Sequence, residues 1–147
     1  PHLEACLLDS LKKRVNFLEE TFQLLKLENI TAIHGRAEEF AKNKAYRETY
    51  DLCVSRAVSN LATLSEYCLP YVKTGGFFIS YKSGTVQEEV EQAQKAVKIL
   101  GGKIQDVVYF QLPDSEIQRS LVVIEKIKAT PGRYPRKAGT PLKEPLS

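Results

Sequence analysis

Apolar positions along the chain change their spacing in a regular alternation. Residues 2–8 (HLEACLL) form a short, mostly apolar run closed by Asp9 and Ser10, which predicts a strand. Leu11, Val15, Leu18, Phe22 and Leu25 then recur every three or four positions, the stripe of one helix face, with Lys12, Lys13, Arg14, Glu19 and Glu20 on the rest and Ser10 placed as N-cap. Residues 30–34 (ITAIH) read as a second strand, and HGRAEEF as a loop into a short helix. Residues 50–56 (YDLCVSR) read as a third strand. Asn60 is placed to cap a helix carrying Leu61, Leu64 and Cys68, which Pro70 should end or kink. Gly75-Gly76 turn into a fourth strand, FFISYK. Thr85 and Glu88 have capping-box spacing ahead of a helix whose face is Val86, Val90, Ala93, Val97 and Leu100, stopped by Gly101-Gly102. Two more strands, residues 104–112 and 120–127, are joined by PDSEIQR.

Strand and helix alternate until the last two strands, which follow one another directly. Alternation predicts a mostly parallel sheet with helices on both faces, and the closing pair predicts one antiparallel strand at the end. Apolar strands bounded by polar loops fit a sheet buried on both sides. The expected fold class is α/β. At 147 residues the chain is one domain's worth of protein. It divides at residue 127: residues 1–127 carry the periodic pattern, and residues 128–147 hold four of the seven prolines without apolar periodicity. That last stretch reads as a basic, proline-rich tail outside the packed core.

Charge refines this picture. The net charge of +3 points only weakly to a nucleic-acid partner. The positive balance is concentrated in residues 126–147, where Lys126, Lys128, Arg133, Arg136, Lys137 and Lys143 stand against Glu144, with Tyr134 among the arginines. Such a segment suits RNA phosphates and unstacked bases; a solvated disordered end is the other reading. Cys6, Cys53 and Cys68 each lie in an apolar run. Their odd number and irregular spacing argue for reduced thiols rather than disulfides or a zinc site. No apolar run approaches the roughly 20 residues that span a bilayer, and the opening residues lack a signal-peptide pattern, so a cytoplasmic location without membrane contact is expected. His2 and His34 have no partner at metal-ligand spacing, so no metal is expected.

In open α/β sheets ligands bind beyond the carboxyl ends of the strands. Asp9 ends the first strand, where a carboxylate can accept both ribose hydroxyls of a nucleotide-like cofactor or simply complement the following helix N-terminus. After the second strand, Ala37 and Glu38 can lie against an adenine and bond its edge through the backbone, although Glu38 and Glu39 also favour a helix start. Arg56 ends the third strand and could reach a cofactor carboxylate or a phosphate, or form a structural ion pair. Lys82 ends the fourth strand and could meet substrate phosphate or face solvent. No Ser/His/Asp or Cys/His arrangement and no P-loop is readable. A dehydrogenase would use the same Asp9, but no GxGxxG is present.

The runs LLDSLKKRVNFLEE, HGRAEEF, YDLCVSRAV, LPYVKTGGFFISYK and TPGRYPRKAGTP resemble the bacterial small-subunit (16S) rRNA guanine-N7 methyltransferases, the glucose-inhibited division protein B family. The resemblance covers nearly the whole chain and implies the Rossmann-like class I methyltransferase fold with S-adenosyl-L-methionine as cofactor. It implies a guanine of 16S rRNA as substrate, with the rRNA or small ribosomal subunit as partner and the protein a monomer. It assigns Asp9 to the cofactor ribose, Ala37 and Glu38 to the adenine, and Arg56 to the pocket lining. Lys82, Arg119 and the stretch from Tyr134 to Lys137, including Arg136, become candidates for the RNA side. No acid or base is implied. The family also carries a strand and glycine-rich loop ahead of LLDS, and an N-terminal helical region, that this sequence does not contain. The expectation is an N-terminally truncated domain, lacking the first strand and its loop at the sheet centre, with poor cofactor affinity of its own. YKSG also departs from the family's shorter lysine-glycine pattern. A non-catalytic α/β module that binds RNA or a partner through the basic tail is the alternative.

Overall fold

The computed structural model describes residues 3–56 and 59–147, and within them the alternation is present. In chain order the elements are β1 (Ala5–Asp9), α1 (Lys12–Leu24), β2 (Ile30–His34), α2 (Ala37–Phe40), β3 (Tyr50–Ser55) and α3 (Leu61–Cys68). A 3-10 turn (Leu69–Tyr71), β4 (Val72–Ser83), α4 (Gln87–Ile99), β5 (Gly102–Gln111), β6 (Gln118–Lys126) and α5 (Thr140–Lys143) follow. His2 of the first expected strand, and Ala57 and Val58 of the VSRAV run, lie outside the described residues.

Local chemistry sets the boundaries, in places differently from the pattern. Asn60 caps α3 as expected, its Oδ1 accepting the Thr63 N–H at 2.9 Å, and Pro70 sits in the 3-10 turn that ends the helix. Ser10 does not cap α1. The helix begins at Lys12, and the Asp9 carboxylate takes the Leu11 N–H at 2.8 Å instead. The Thr85–Glu88 capping box is also absent, because α4 starts at Gln87, which puts Glu88 one position early for a box. Gly75-Gly76 do not break β4, which runs through them for 12 residues. Gly101 ends α4 with φ +89°; a Cβ there would sit 2.3 Å from the Lys128 carbonyl oxygen, so the close return of the chain after β6 requires glycine.

The strands form two separate groups. β1 and β2 pair in parallel, Ala5 with Ile30 through Asp9 with His34. The other four follow the order β3-β4-β6-β5, with β3 parallel to β4 and β6 antiparallel to both neighbours. The one antiparallel strand is thus the last in the chain, inserted between β4 and β5. Among the described residues no ladder joins β1 to β3. The two groups touch at their amino ends, where the Tyr50 hydroxyl meets the Cys6 thiol; burial, and next the thiol, push Tyr50 up to about 12.

One face of the four-stranded group holds the core. Phe78, Val122 and Ile124 pack under Leu61, Leu64 and Leu69 of the α3 side and Val90, Ala93, Val97 and Leu100 of the α4 side. The other face is not covered, contrary to the expectation of a sheet buried on both sides. Leu52 is 50% exposed and Val54 53%, and Phe77, Tyr81 and Val108 beside them are exposed too. The reason is topological: α3 and α4 lie on the same face, while α1 serves the separate β1-β2 pair.

Residues 128–147 are not a tail outside the core. Thr130, Tyr134, Pro135 and Pro141 are buried, and Tyr134 belongs to the core cluster. Composition misled here because the segment docks through polar staples rather than an apolar stripe. Arg47 donates to the carbonyls of Thr130 (3.0 Å), Pro131 (3.3 Å) and Tyr134 (2.8 Å). Lys126, fully buried, donates to the Leu69 and Val72 carbonyls and pairs with Glu48 at 3.1 Å. Glu66, with no exposed side-chain area, holds the Arg136 guanidinium through both carboxylate oxygens and takes the Arg136 N–H at 2.8 Å.

Glu66→Ala, which removes every side-chain partner of this docking point on α3, is expected to destabilise the fold by about 2–3 kcal/mol, read from the urea unfolding midpoint. An unchanged midpoint would mean that the segment docks without it. At Glu48, burial works to raise the carboxyl. The Thr130 N–H, the Lys126 ammonium and Arg47 outweigh it and hold the group below its ordinary 4.5. A carboxyl held low in the folded state contributes stability above its unfolded value and loses it as pH falls through the folded one. Wild-type stability should therefore drop more steeply than that of Glu48→Gln below about pH 4.5, measured by urea unfolding at a series of pH values.

Candidate functional site at the strand ends

Asp9, the β2–α2 turn, Arg56 and Lys82 all follow parallel strands, so the fold gathers them at one end of the molecule. Asp9 and the β2 end are tied directly: the Gly35 N–H donates to the Asp9 carbonyl at 3.0 Å, and His34 Nε2 lies 3.2 Å from the Ser10 carbonyl oxygen. The Asp9 carboxylate spends one oxygen on the Leu11 N–H and has Arg14 3.5 Å from the other, and its side chain is 25% exposed. A carboxylate has about four lone-pair directions, so outward ones remain open for two hydroxyls.

The turn at Arg36–Glu38 is held from behind. The Tyr71 hydroxyl donates to the Ala37 carbonyl at 2.6 Å. Burial, and then the Cys68 and Cys53 thiols, raise Tyr71 far above its ordinary range, so it stays a donor. The Glu38 side chain is buried and does not face the strand ends: its Oε1 accepts the Gly139 N–H at 2.9 Å. Only the backbone of Ala37 and Glu38 remains for a ligand.

Arg56 is exposed at the end of β3. Arg36 is exposed too, and with Arg14 it makes the rim of β1, β2 and β3 basic. Of these three the sequence had singled out Arg56 alone as a candidate; the pattern of charges along the chain directed attention to the C-terminal segment and left Arg14 and Arg36 aside. The signal that could have found it is position: each arginine follows a strand or opens the helix after one.

Two residues expected to contact RNA are engaged inside the fold. Lys82 is one of them. Its side chain is 10% exposed, and its ammonium donates to Glu89 Oε1 and to the Ser59 carbonyl, both at 2.7 Å. Glu89 Oε1 also takes the Leu61 N–H at 2.7 Å, so Lys82 and Glu89 together brace the start of α3. Arg136 is equally committed, to Glu66 and to the Glu144 carbonyl. Its charge is kept on by the Glu66 carboxylate, which raises its pKa. Tyr134, grouped with it, is a core residue at 7% exposure. Lys137 is exposed, and Arg119, at the start of β6 opposite Ser83, is half-buried with a guanidinium bond to the Gln118 carbonyl. Among the described residues no group of three His, Cys, Asp or Glu is gathered as for a metal, and no helix is long and apolar enough to cross a membrane.

A family model described as rRNA small subunit methyltransferase G matches residues 1–122. The ribosomal RNA small subunit methyltransferase G of Lachnoclostridium phytofermentans is 55% identical over 146 residues, 99% of this chain and 60% of that protein. The same-named protein of Acetivibrio thermocellus is 52% identical over 147 residues, all of this chain and 60% of its own length. The chain therefore spans about three-fifths of these relatives. Among solved structures, an rRNA methylase from Streptococcus thermophilus superposes with a TM-score of 0.59 at 15% identity, covering 85% of this chain and 74% of that one. M. jannaschii TYW2 in complex with AdoMet superposes at 0.61 with 14% identity, covering 84% of this chain and 58% of the other. At such identities the structures establish the shared fold.

Replacing Lys82 by Met, which keeps the stem and deletes the charge, should destabilise the protein by about 1–2 kcal/mol in urea unfolding, because the Ser59 carbonyl and Glu89 lose a charged donor. A variant as stable as wild type would return Lys82 to the pool of free cations.

Proposed function

We propose a function that proceeds from one fact: the chain belongs to the rRNA small subunit methyltransferase G family. The reading is that the longer protein transfers a methyl group from S-adenosyl-L-methionine to N7 of a guanine in 16S rRNA. This chain supplies the adenosine side of the cofactor site and part of the RNA face. The observation that carries it is identity above one-half to proteins of that name along essentially the whole chain.

The residues at the strand ends fit the cofactor. Asp9 keeps open lone pairs at the end of β1 for ribose hydroxyls. The backbone of Ala37 and Glu38, steadied by Tyr71, suits an adenine edge. Arg56, exposed at the end of β3, can hold a carboxylate with its planar fork. When bound, S-adenosyl-L-methionine supplies an electrophilic methyl group. Guanine N7 already presents a lone pair on the major-groove edge, so no side chain has to remove a proton from it. The work left to the protein is to bind, to align and to surround the reacting atoms with a suitable field. On this reading the exposed Arg36 and Lys137 and the half-buried Arg119 meet RNA phosphates, while Lys82 and Arg136 are structural. The protein would work in the cytoplasm as a monomer on the small subunit or its rRNA. The alternative of a non-catalytic module that binds RNA or a partner through the basic C-terminal segment would have to use that segment in its packed form, through exposed residues such as Lys137.

The test is calorimetric titration of S-adenosylhomocysteine into this chain and into the same chain joined to the preceding residues of a relative. The extended protein is expected to bind at least about tenfold more tightly, and Asp9→Ala in it to weaken binding by a similar factor. Absence of binding by both proteins would overturn the cofactor reading.

A further inference from the structure

Among the described residues no ladder joins the two strand groups, and the candidate site draws on both: Asp9, Ala37 and Glu38 from the β1–β2 group, Arg56 from β3. Contacts other than sheet hydrogen bonds therefore link the groups in this chain. The Tyr71 bond to Ala37 is one, and the C-terminal segment supplies another. On one side Gly139 donates its N–H to Glu38, just past β2. On the other, the Thr63 hydroxyl in the first turn of α3, just past β3, donates to the Pro141 carbonyl at 2.9 Å, and Glu66 one turn further on holds Arg136. Gly139 has φ +86° and opens α5, a conformation that favours glycine and aims its N–H at the carboxylate. Glu38 is 4% exposed, so this bond is made largely out of water, and among the described residues Gly139 is the hydrogen-bond partner of its side chain.

We propose that Glu38 is a positioning residue that bolts the C-terminal strap, residues 136–141, across the two halves of the site, and that ordering of this strap and binding of the adenosine end of the cofactor are coupled. The proposal rests on the cofactor reading above for its second half only. Glu38 acts on the ligand through the backbone of its own turn, and the strap is its lever.

Amide hydrogen exchange on this chain tests the bolt without any ligand. Glu38→Ala, and separately deletion of residues 139–147, should each strip protection from residues 37–41, while β4 and β6 amides keep theirs and so report an intact core. Glu38→Gln, which retains the acceptor oxygen, should keep wild-type protection. Unchanged protection at 37–41 in Glu38→Ala would overturn the proposal. Titration of S-adenosylhomocysteine into the extended protein tests the coupling. Glu38→Ala and the deletion should each raise Kd about fivefold, and the two together should do no more than either alone. Losses that multiply would show Glu38 touching the ligand directly and would overturn the positioning role. Should the extended wild type bind nothing, the cofactor reading fails by that result, while the exchange data still decide the bolt.

Discussion

Glu66 lies in the middle of α3 with no exposed side-chain area, and a carboxylate taken that far out of water stays charged only when its lone pairs are met. Arg136 meets them with its guanidinium and its own N–H. This requirement organises the end of the chain. With Arg136 fixed, the residues before it run back past Arg47 and Lys126, where each staple again ends on a buried charge or carbonyl. The residues after it arrive at Glu38 and Thr63. Apolar burial fills the space beneath, but Tyr134 is the main apolar anchor of the segment and could not by itself choose a path. Pairing of buried charges chooses it, which is the specifying role best suited to such pairs.

The same strap spans the two strand groups. In a doubly wound fold the strand ends are registered by the ladders between them, so residues on different strands face a ligand at fixed spacing. Here β1 and β3 share no ladder among the described residues, and the uncovered face bearing Leu52, Val54, Phe77 and Tyr81 leaves that side without packing. Among the described residues the two groups are tied by the contact of Tyr50 with Cys6 at the amino ends, the Tyr71 bond to Ala37, and the strap.

How much of this was legible in the sequence follows from the range of each interaction. Strand and helix identities were legible because alternation and the three-to-four spacing are local, as Val90, Ala93 and Val97 show. Asp9 and Arg56 became candidates by one rule, that polar residues at the ends of parallel strands face the ligand side. The Asn60 cap was readable because its partner is three residues away. Helix starts at Ser10 and Thr85 failed because neighbours offered better acceptors or shifted the first turn. The roles of Lys82, Arg136 and Glu38 were not readable, since their partners stand 7, 70 and 101 residues away and a cation in isolation looks like one meant for phosphate. Lys126 shows the failure most clearly: counted among the basic residues of a solvated tail, it is fully buried.

On the proposed reading, attack by guanine N7 would ask for little acid–base chemistry, and that would shift the burden to geometry. A lone pair in line with a methyl group reacts at a rate set by how well the two are aligned, and small misplacement is expensive on the scale of effective molarity. On that reading, a site with no proton to move would tolerate little looseness between the half that would hold the nucleoside and the half that carries Arg56. Surface cations such as Arg36 and Lys137 can gather RNA, but they act at long range and align nothing. On the proposed reading alignment would fall to groups held inside the fold by a partner of their own. The buried Glu38 and Glu66 and the half-buried Tyr71 are such groups, and none of them would be chosen by a search for catalytic side chains.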